Sequence, residues 1–288
     1  MMSQDATPSS ERQKASFALG NSIRTQRCIR KGLRQVEGLL AQICLSDSDG
    51  QQPKDLGRLS HDPAFREFFK LQEGFEWNVA LRLIGSLDRL MAKGSDGQND
   101  ILILSALDLV QGLLLLHPPS KSLFAREQNM NLLLDLLEPF NCPAIQSATL
   151  LTLVVALLDA PANTRTFEAL DGLLTVTSLF KSRSTTREVK LKLVEFLYCY
   201  LMPETPSIPR ADQRDSVPAM MQRSPSKLVG AFAAQSKRRK ATATGSTAGP
   251  VMTLTTEEKQ GLLSRHLSSV EDLVKDLRNS APFGGVVS

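Results

Sequence analysis

Side chains able to do acid–base, nucleophilic or metal chemistry are few in this chain and far apart. The histidines are His61, His117 and His266, and the cysteines are Cys28, Cys44, Cys142 and Cys199. A zinc site draws three or four His, Cys or carboxylate ligands to one point, and closely spaced pairs such as CxxC or HExxH usually supply them. No such pair occurs here. His61 precedes a helix-start signal. His117 stands at a helix end beside Pro118, where an imidazolium is favourably placed against the C-terminal dipole. Cys199 lies between Tyr198 and Tyr200 on an apolar stretch, the setting of a core thiol. A triad built from Cys199 and a distant histidine is the one nucleophilic arrangement left open. There is no GxGxxG, Walker A loop, GxSxG elbow or kinase HRD and DFG set. The expectation is no catalytic residue, no metal, no cofactor and no enzyme.

Charge offers a second kind of chemistry. Lys237, Arg238, Arg239 and Lys240 form a compact basic cluster, of the type read as a nuclear import signal or a contact for an anionic surface. Thr7, Thr205 and Ser224 each precede proline and are candidate proline-directed phosphorylation sites. A phosphate on Ser224, beside Arg223 and Lys227, would change the pairing options of that segment. Arg24, Arg27, Lys31 and Arg34 recur at spacings of three and four along one helix face. Such a stripe is either a solvated face or a docking face for an acidic partner or phosphate.

These residues must be held by helices. Pro119, Pro161 and Pro203 sit 42 residues apart, and each closes a long apolar run. Ser105-Ala106 in one run matches Ser147-Ala148 in the next. A fixed period near 40 is the signature of HEAT or armadillo repeats. No stretch alternates with period two. The expected fold is all-α, an armadillo- or HEAT-like helical solenoid with a disordered tail and a C-terminal amphipathic helix. The units read as a long helix over about 23–45, a short one from Pro63 and another over about 74–91 carrying Trp77 inward. Then come 99–117, 120–126 and 127–138; next 144–159, 162–169 and 170–181; and last 186–202. Phe124 and Phe167 occupy like places at an offset of 43, a slip of one residue.

The 288 residues are 42% apolar, enough for one sizeable core. The run from Ile101 to Leu116 contains Asp108 and Gln111 and falls short of the roughly 20 residues that cross a bilayer, so no membrane span is expected. Scattered cysteines with no paired motif suggest reduced, mostly buried intracellular thiols. The polar N-terminus lacks the apolar segment of a secretory signal.

The net charge of +4 is unevenly placed. Residues 1–202 hold equal numbers of acids and bases, 22 each, whereas 203–252 hold eight bases and three acids. A neutral body argues against a duplex-gripping domain, so no specific nucleic acid is expected. The domains read as 1–21 disordered or weakly helical, 22–202 helical repeat, 203–253 disordered basic linker, 254–279 amphipathic helix and 280–288 disordered tail. The last helix opens with Thr255 and Glu258, a capping box, and carries Leu263, Leu267, Val270, Val274 and Leu277. It would dock on the solenoid as a cap or pair with a partner helix.

Three blocks carry a family likeness: RKGLRQVEGLL from Arg30 to Leu40, HDPAFREFFKLQEGFEWNVALRLIGSLDRLM from His61 to Met91, and LLLLHPPSKSLFAREQNMNLLLDLLE from Leu113 to Glu138. Over about residues 20–205 the chain resembles the fungal cell division control protein 14 family, a component of the septation initiation network. It is unrelated to the phosphatase that shares the name, and no cysteine here follows a histidine as the phosphatase signature requires. The resemblance implies a non-catalytic subunit that binds a germinal-centre-type protein kinase, acts in septum formation and cytokinesis, and sits in the cytoplasm and at the spindle pole body. Other network or spindle-pole proteins are further partners it implies. In an armadillo-like stack the third helices would line the concave face, which nominates Trp77, Asn78, Arg82, Arg89, Asn131 and Asp135 as partner-binding residues. Trp and Arg are common interface anchors. The alternative is a nuclear import or chromatin-associated repeat protein acting through Lys237–Lys240, with a nuclear pool.

Overall fold

The computed structural model describes residues 8–45, 54, 56–92, 97–204 and 253–271, and within the first helix it describes side chains from Gln26 onward. Thr7, Thr205, Ser224 and the cluster Lys237, Arg238, Arg239 and Lys240 lie outside the described residues, as do Val274 and Leu277. Among the described residues the fold is all-α, with no strand.

The first region comprises α1 (Pro8–Cys44), α2 (Leu56–His61), α3 (Pro63–Glu73) and α4 (Val79–Met91). Helix α1 begins upstream of the expected span of about 23–45. Asp62 caps α3 by accepting from the Ala64 amide, with Pro63 in the first turn, where its missing N–H costs nothing. Two three-helix units follow. One is α5 (Asp100–Leu116), the short η1 (Pro118–Ala125) and α6 (Glu127–Leu136); the other is α7 (Pro143–Leu157), α8 (Pro161–Ala169) and α9 (Gly172–Lys181). Then come α10 (Arg187–Leu201) and α11 (Thr256–Ser264).

These elements pack in series. Helix α4 lies on α5, α5 on α7, α7 on α10 and α10 on α11, while α3 meets η1 and η1 meets α8. Side chains reach from one unit to the next at about the sequence period. Asn163 Nδ2 donates to the Lys121 carbonyl (2.8 Å) across 42 residues, and Asn78 Nδ2 donates to Ser120 Oγ (3.4 Å) across another 42. Gln111 Nε2 donates to Thr152 Oγ1 (3.0 Å) across 41, tying α5 to α7 in the middle of an otherwise apolar contact. Phe124 and Phe167 are both fully buried.

The one-residue slip between those phenylalanines has a geometric cause. Pro118 and Pro119 open a 3₁₀ helix, whereas Pro161 opens an α-helix. Five residues at about 120° each turn the chain through the same angle, about 600°, as six at about 100°. Phe124 and Phe167 therefore emerge on the same face although Phe167 has one more residue behind it. Gly172 follows because a Cβ there would lie 2.3 Å from the Phe167 ring.

The terminal helix expected over 254–279 is interrupted within the described residues: α11 ends at Ser264, a turn follows, and helix resumes at Val270 and Glu271. Leu263, Leu267 and Val270 are nonetheless all buried, and α11 lies on α10 of the same chain. Its capping box forms, with Thr255 Oγ1 accepting from the Glu258 amide and Glu258 accepting from the Thr255 amide.

A buried charged cluster fastens this segment. Lys259, only 4% exposed, contacts Glu204 Oε1 (3.1 Å), donates to the Met202 carbonyl (3.0 Å) and sits 5.2 Å from the centre of the Tyr200 ring. Arg165 Nη2 bridges Glu204 Oε1 (2.7 Å) and Glu168 Oε1 (3.0 Å), and the Tyr200 hydroxyl donates to Glu168 (2.7 Å). Burial pushes the Glu168 carboxyl up and the Lys259 ammonium down; the Tyr200 and Arg165 contacts oppose the first shift, and Glu204 opposes the second. Two cations face two carboxylates, so the cluster is neutral only when complete. The Glu204 amide donates to the Leu254 carbonyl (3.1 Å), and the Leu254 amide returns to Glu204 Oε2 (2.9 Å). Glu204 and Leu254 thus lie side by side.

With its two ends joined by that pairing, the stretch 205–252 is expected to be replaceable without loss of stability. Replacing 205–252 with a short Gly-Ser linker leaves the unfolding free energy unchanged or raises it by up to about 2 kcal/mol, since a shorter loop is cheaper to close. Glu204→Gln, which takes the carboxylate from the buried Lys259 while Arg165 keeps Glu168, lowers it by about 3–5 kcal/mol. Chemical denaturation of the three proteins checks both; a large loss on loop replacement would contradict the closure.

Candidate functional site

Trp77 is not carried inward. Helix α3 ends at Gly74 and α4 starts only at Val79, so Trp77 lies in the turn between them and is 62% exposed. Phe75 beside it is 75% exposed, and Leu71, at the end of α3, is 42% exposed. Three large apolar side chains therefore face solvent within seven residues.

The turn that presents them is tied down from beneath. Gln72 is buried; its Oε1 accepts from the Val79 amide (2.8 Å), and its Nε2 donates to the Trp77 carbonyl (3.4 Å). Asn78 caps α4, its Oδ1 accepting from the Leu81 amide (2.8 Å), and its Nδ2 donates to the Gln72 carbonyl (2.5 Å) and to Ser120 of the next unit. Arg82 Nη2 donates to the Glu76 carbonyl (3.4 Å). The Gly74 amide and the Glu76, Trp77 and Asn78 carbonyls are thus bonded within the fold. What is left outward is aromatic surface on a backbone with little freedom to lose on binding, the character of an interface anchor.

Of the six sequence candidates, Trp77, Arg82 and Arg89 are exposed on the α3–α4 turn and α4. Asn78 is at 9% exposure, and its amide serves the cap and the turn. Asn131 and Asp135 are exposed on α6, which packs with η1, α7 and α8 rather than in the α4–α5 contact. The structure therefore gathers the Trp77 group and sets the α6 pair on a different element. Phe75 and Leu71 were not singled out from sequence; the signal was available in Gly74 and Asn78, a helix stop and a helix cap four residues apart.

Among the described residues the hydrogen-bond partners of His61 and His117 do not include any of the four cysteines. Cys28 is exposed and Cys44, Cys142 and Cys199 are half-buried, all free thiols rather than the mostly buried set expected. Burial pushes the Cys199 thiol up, away from the thiolate a nucleophile needs. Among the described residues no three His, Cys, Asp or Glu are placed to hold a metal, and no single helix is long and apolar enough to cross a membrane. Cys199 also lines a cavity of about 260 Å3 beside the Glu204–Lys259 cluster, and its walls are mostly apolar.

His117 departs from the helix-dipole expectation. It is 2% exposed, edge-on to Phe69 with ring centres 4.4 Å apart, and its Nδ1 shares a hydrogen bond with Ser120 Oγ (2.8 Å). Its buried Nε2 has no partner. Burial holds the imidazole below its ordinary value against the opposing pull of Glu73. The native state therefore resists protonation. As pH falls through the ordinary value of 6.5, the unfolded chain takes up a proton that the folded chain refuses, and stability is lost. The melting temperature is expected to drop between about pH 7.5 and pH 5.5, and H117Q to reduce that drop. An unchanged pH slope in H117Q would remove His117 from this role.

Comparison with known proteins supplies the remaining observation. The family described as Cell division control protein 14, SIN component, matches residues 14–283, which extends the likeness past Pro203 and across the region that the three sequence blocks left unassigned. The protein Cell division control protein 14 of Schizosaccharomyces pombe (strain 972 / ATCC 24843) is 28% identical over 270 residues, covering 91% of this chain and 92% of the relative. No solved structure matches. With a match over nearly its whole length, the chain belongs to the Cell division control protein 14 family of SIN components.

Proposed function

We propose that this chain is a non-catalytic adaptor that binds a germinal-centre-type protein kinase in the septation initiation network, with the α3–α4 turn as its main anchor. Family membership places it in cell division and septation. The kinase is the partner that the family resemblance implies. The observation supporting the anchor is the exposed pair Phe75 and Trp77 on an internally bonded turn. Exposed contiguous aromatic surface mostly marks a binding site.

The mechanism is positional. Binding the kinase in its active conformation better than its inactive one raises the active population by the ratio of the two affinities. The same contact carries the kinase wherever the adaptor resides, in the cytoplasm and at the spindle pole body. Asn131 and Asp135 on α6, with Arg82 and Arg89 on α4, are secondary candidates for a larger footprint.

Co-purification of the kinase with full-length variants tests this. F75A/W77A is expected to weaken capture about thirtyfold or more, an anchor-sized loss of about 2 kcal/mol, without changing the melting temperature. R82E/R89E is expected to weaken it less. Full capture by F75A/W77A at unchanged fold would exclude the turn as the anchor.

A further inference from the structure

Helix α1 presents a second surface, on a different element from the aromatic turn. Arg27, Arg30, Lys31 and Arg34 are all exposed. At about 100° per residue they fall within an arc of about 100°, and they span about 10 Å along the axis. Leu33, Leu40 and Ile43 lie on the opposite side, buried against the rest of the fold. Arg24 extends the pattern, but its side chain is outside the described ones.

Among the described residues none of the four has an ion-pair partner. Other exposed cations do: Lys70 with Glu67 and Lys192 with Glu195. Glu37, the acid in the described part of α1, bridges to none of them. Arg27 and Lys31 are four apart, as are Arg30 and Arg34, so the helix carries two like-charge pairs at a spacing that destabilises it by about 0.2–0.5 kcal/mol each. The fold gains nothing from this arrangement, and incoming negative charge relieves it.

We infer that this arc docks an acidic, Asp- and Glu-rich segment of a partner polypeptide. Guanidinium forks match carboxylates in pairs, and three of the four residues are arginine. The alternatives fit less well. An in-plane membrane helix needs its apolar face free, and here that face is occupied by the fold. A duplex needs cations tracking phosphates along a groove, whereas this patch covers two helical turns of a body whose first 202 residues are charge-balanced. Residues 205–252 of the same chain carry eight basic and two acidic residues, so they repel the arc. The inference stands apart from the kinase assignment and from the aromatic turn.

Binding of a fluorescent oligo-glutamate peptide to the full-length chain tests it. The wild type is expected to bind with an affinity that falls as salt rises. R27Q/R30Q/K31Q/R34Q is expected to lose about tenfold or more, and R27Q/R34Q about threefold, each at an unchanged melting temperature. Gln at all four positions of Lys237–Lys240 is the comparison, since that cluster also attracts acids, and it is expected to leave most of the binding intact. Wild-type affinity in both α1 variants would overturn the inference. So would a preference of the wild type for phosphatidylserine vesicles or duplex DNA over the peptide at equal salt.

Discussion

Each unit of this chain leaves an apolar flank that only the next unit covers. Helices α5 and α7 are apolar on nearly every side and survive because each is packed between neighbours, α5 by α4 and α7, and α7 by α5 and α10. Helix α10 would end the series with a bare flank. Helix α11, well beyond α10 in sequence, covers it, held by Lys259 and Glu204. Buried ions of this kind add little net stability, because desolvation offsets most of the attraction, but they are unforgiving of a missing partner. They fix where α11 sits more than how strongly it sits.

The same constraint explains where function can lie. Series packing consumes the flanks and leaves the turns and the outer face of α1 for contact. Phe75 and Trp77 occupy a turn immobilised by Gln72 and Asn78, and the basic arc occupies the solvent side of a helix whose other side is core. Both surfaces are rigid and shallow, suited to another protein more than to a small substrate. Rigid elements presenting variable turns are a common way for one fold to acquire a partner without changing its core.

Much of this was legible in the sequence. Prolines remove amide donors and stop helices, so Pro119 and Pro161 fall where the first helix of each unit gives way to the second and Pro203 falls just past α10, and the capping pairs Asp62–Pro63 and Thr255–Glu258 marked helix starts correctly. The misreadings share a cause: helical spacing was extended past a local stop. Trp77, Leu81 and Ile84 follow a helical stripe, but Gly74 and Asn78 place Trp77 ahead of the helix, where the stripe has no meaning. In the terminal segment the same spacing picks out Leu263, Leu267 and Val270, which are buried, although the helix breaks after Ser264 and resumes at Val270. The Arg165–Glu204–Lys259 cluster was not legible, because its members come from three segments joined only by the fold. For His117, burial against Phe69 outweighed the helix-end dipole, and no local pattern announces that contact. The septation assignment rests on the family match and not on the repeat.

The central claim is that α11 is an integral last member of the series. Native-state hydrogen exchange tests it most directly, because amides open with the free energy of the unit that contains them. Series packing predicts that the amides of residues 259–264 are protected to a similar degree as those of α10. It also predicts that Glu204→Gln lowers protection in α11 and α10 together before α5 and α7 respond. Unprotected α11 amides in the wild-type chain would contradict it.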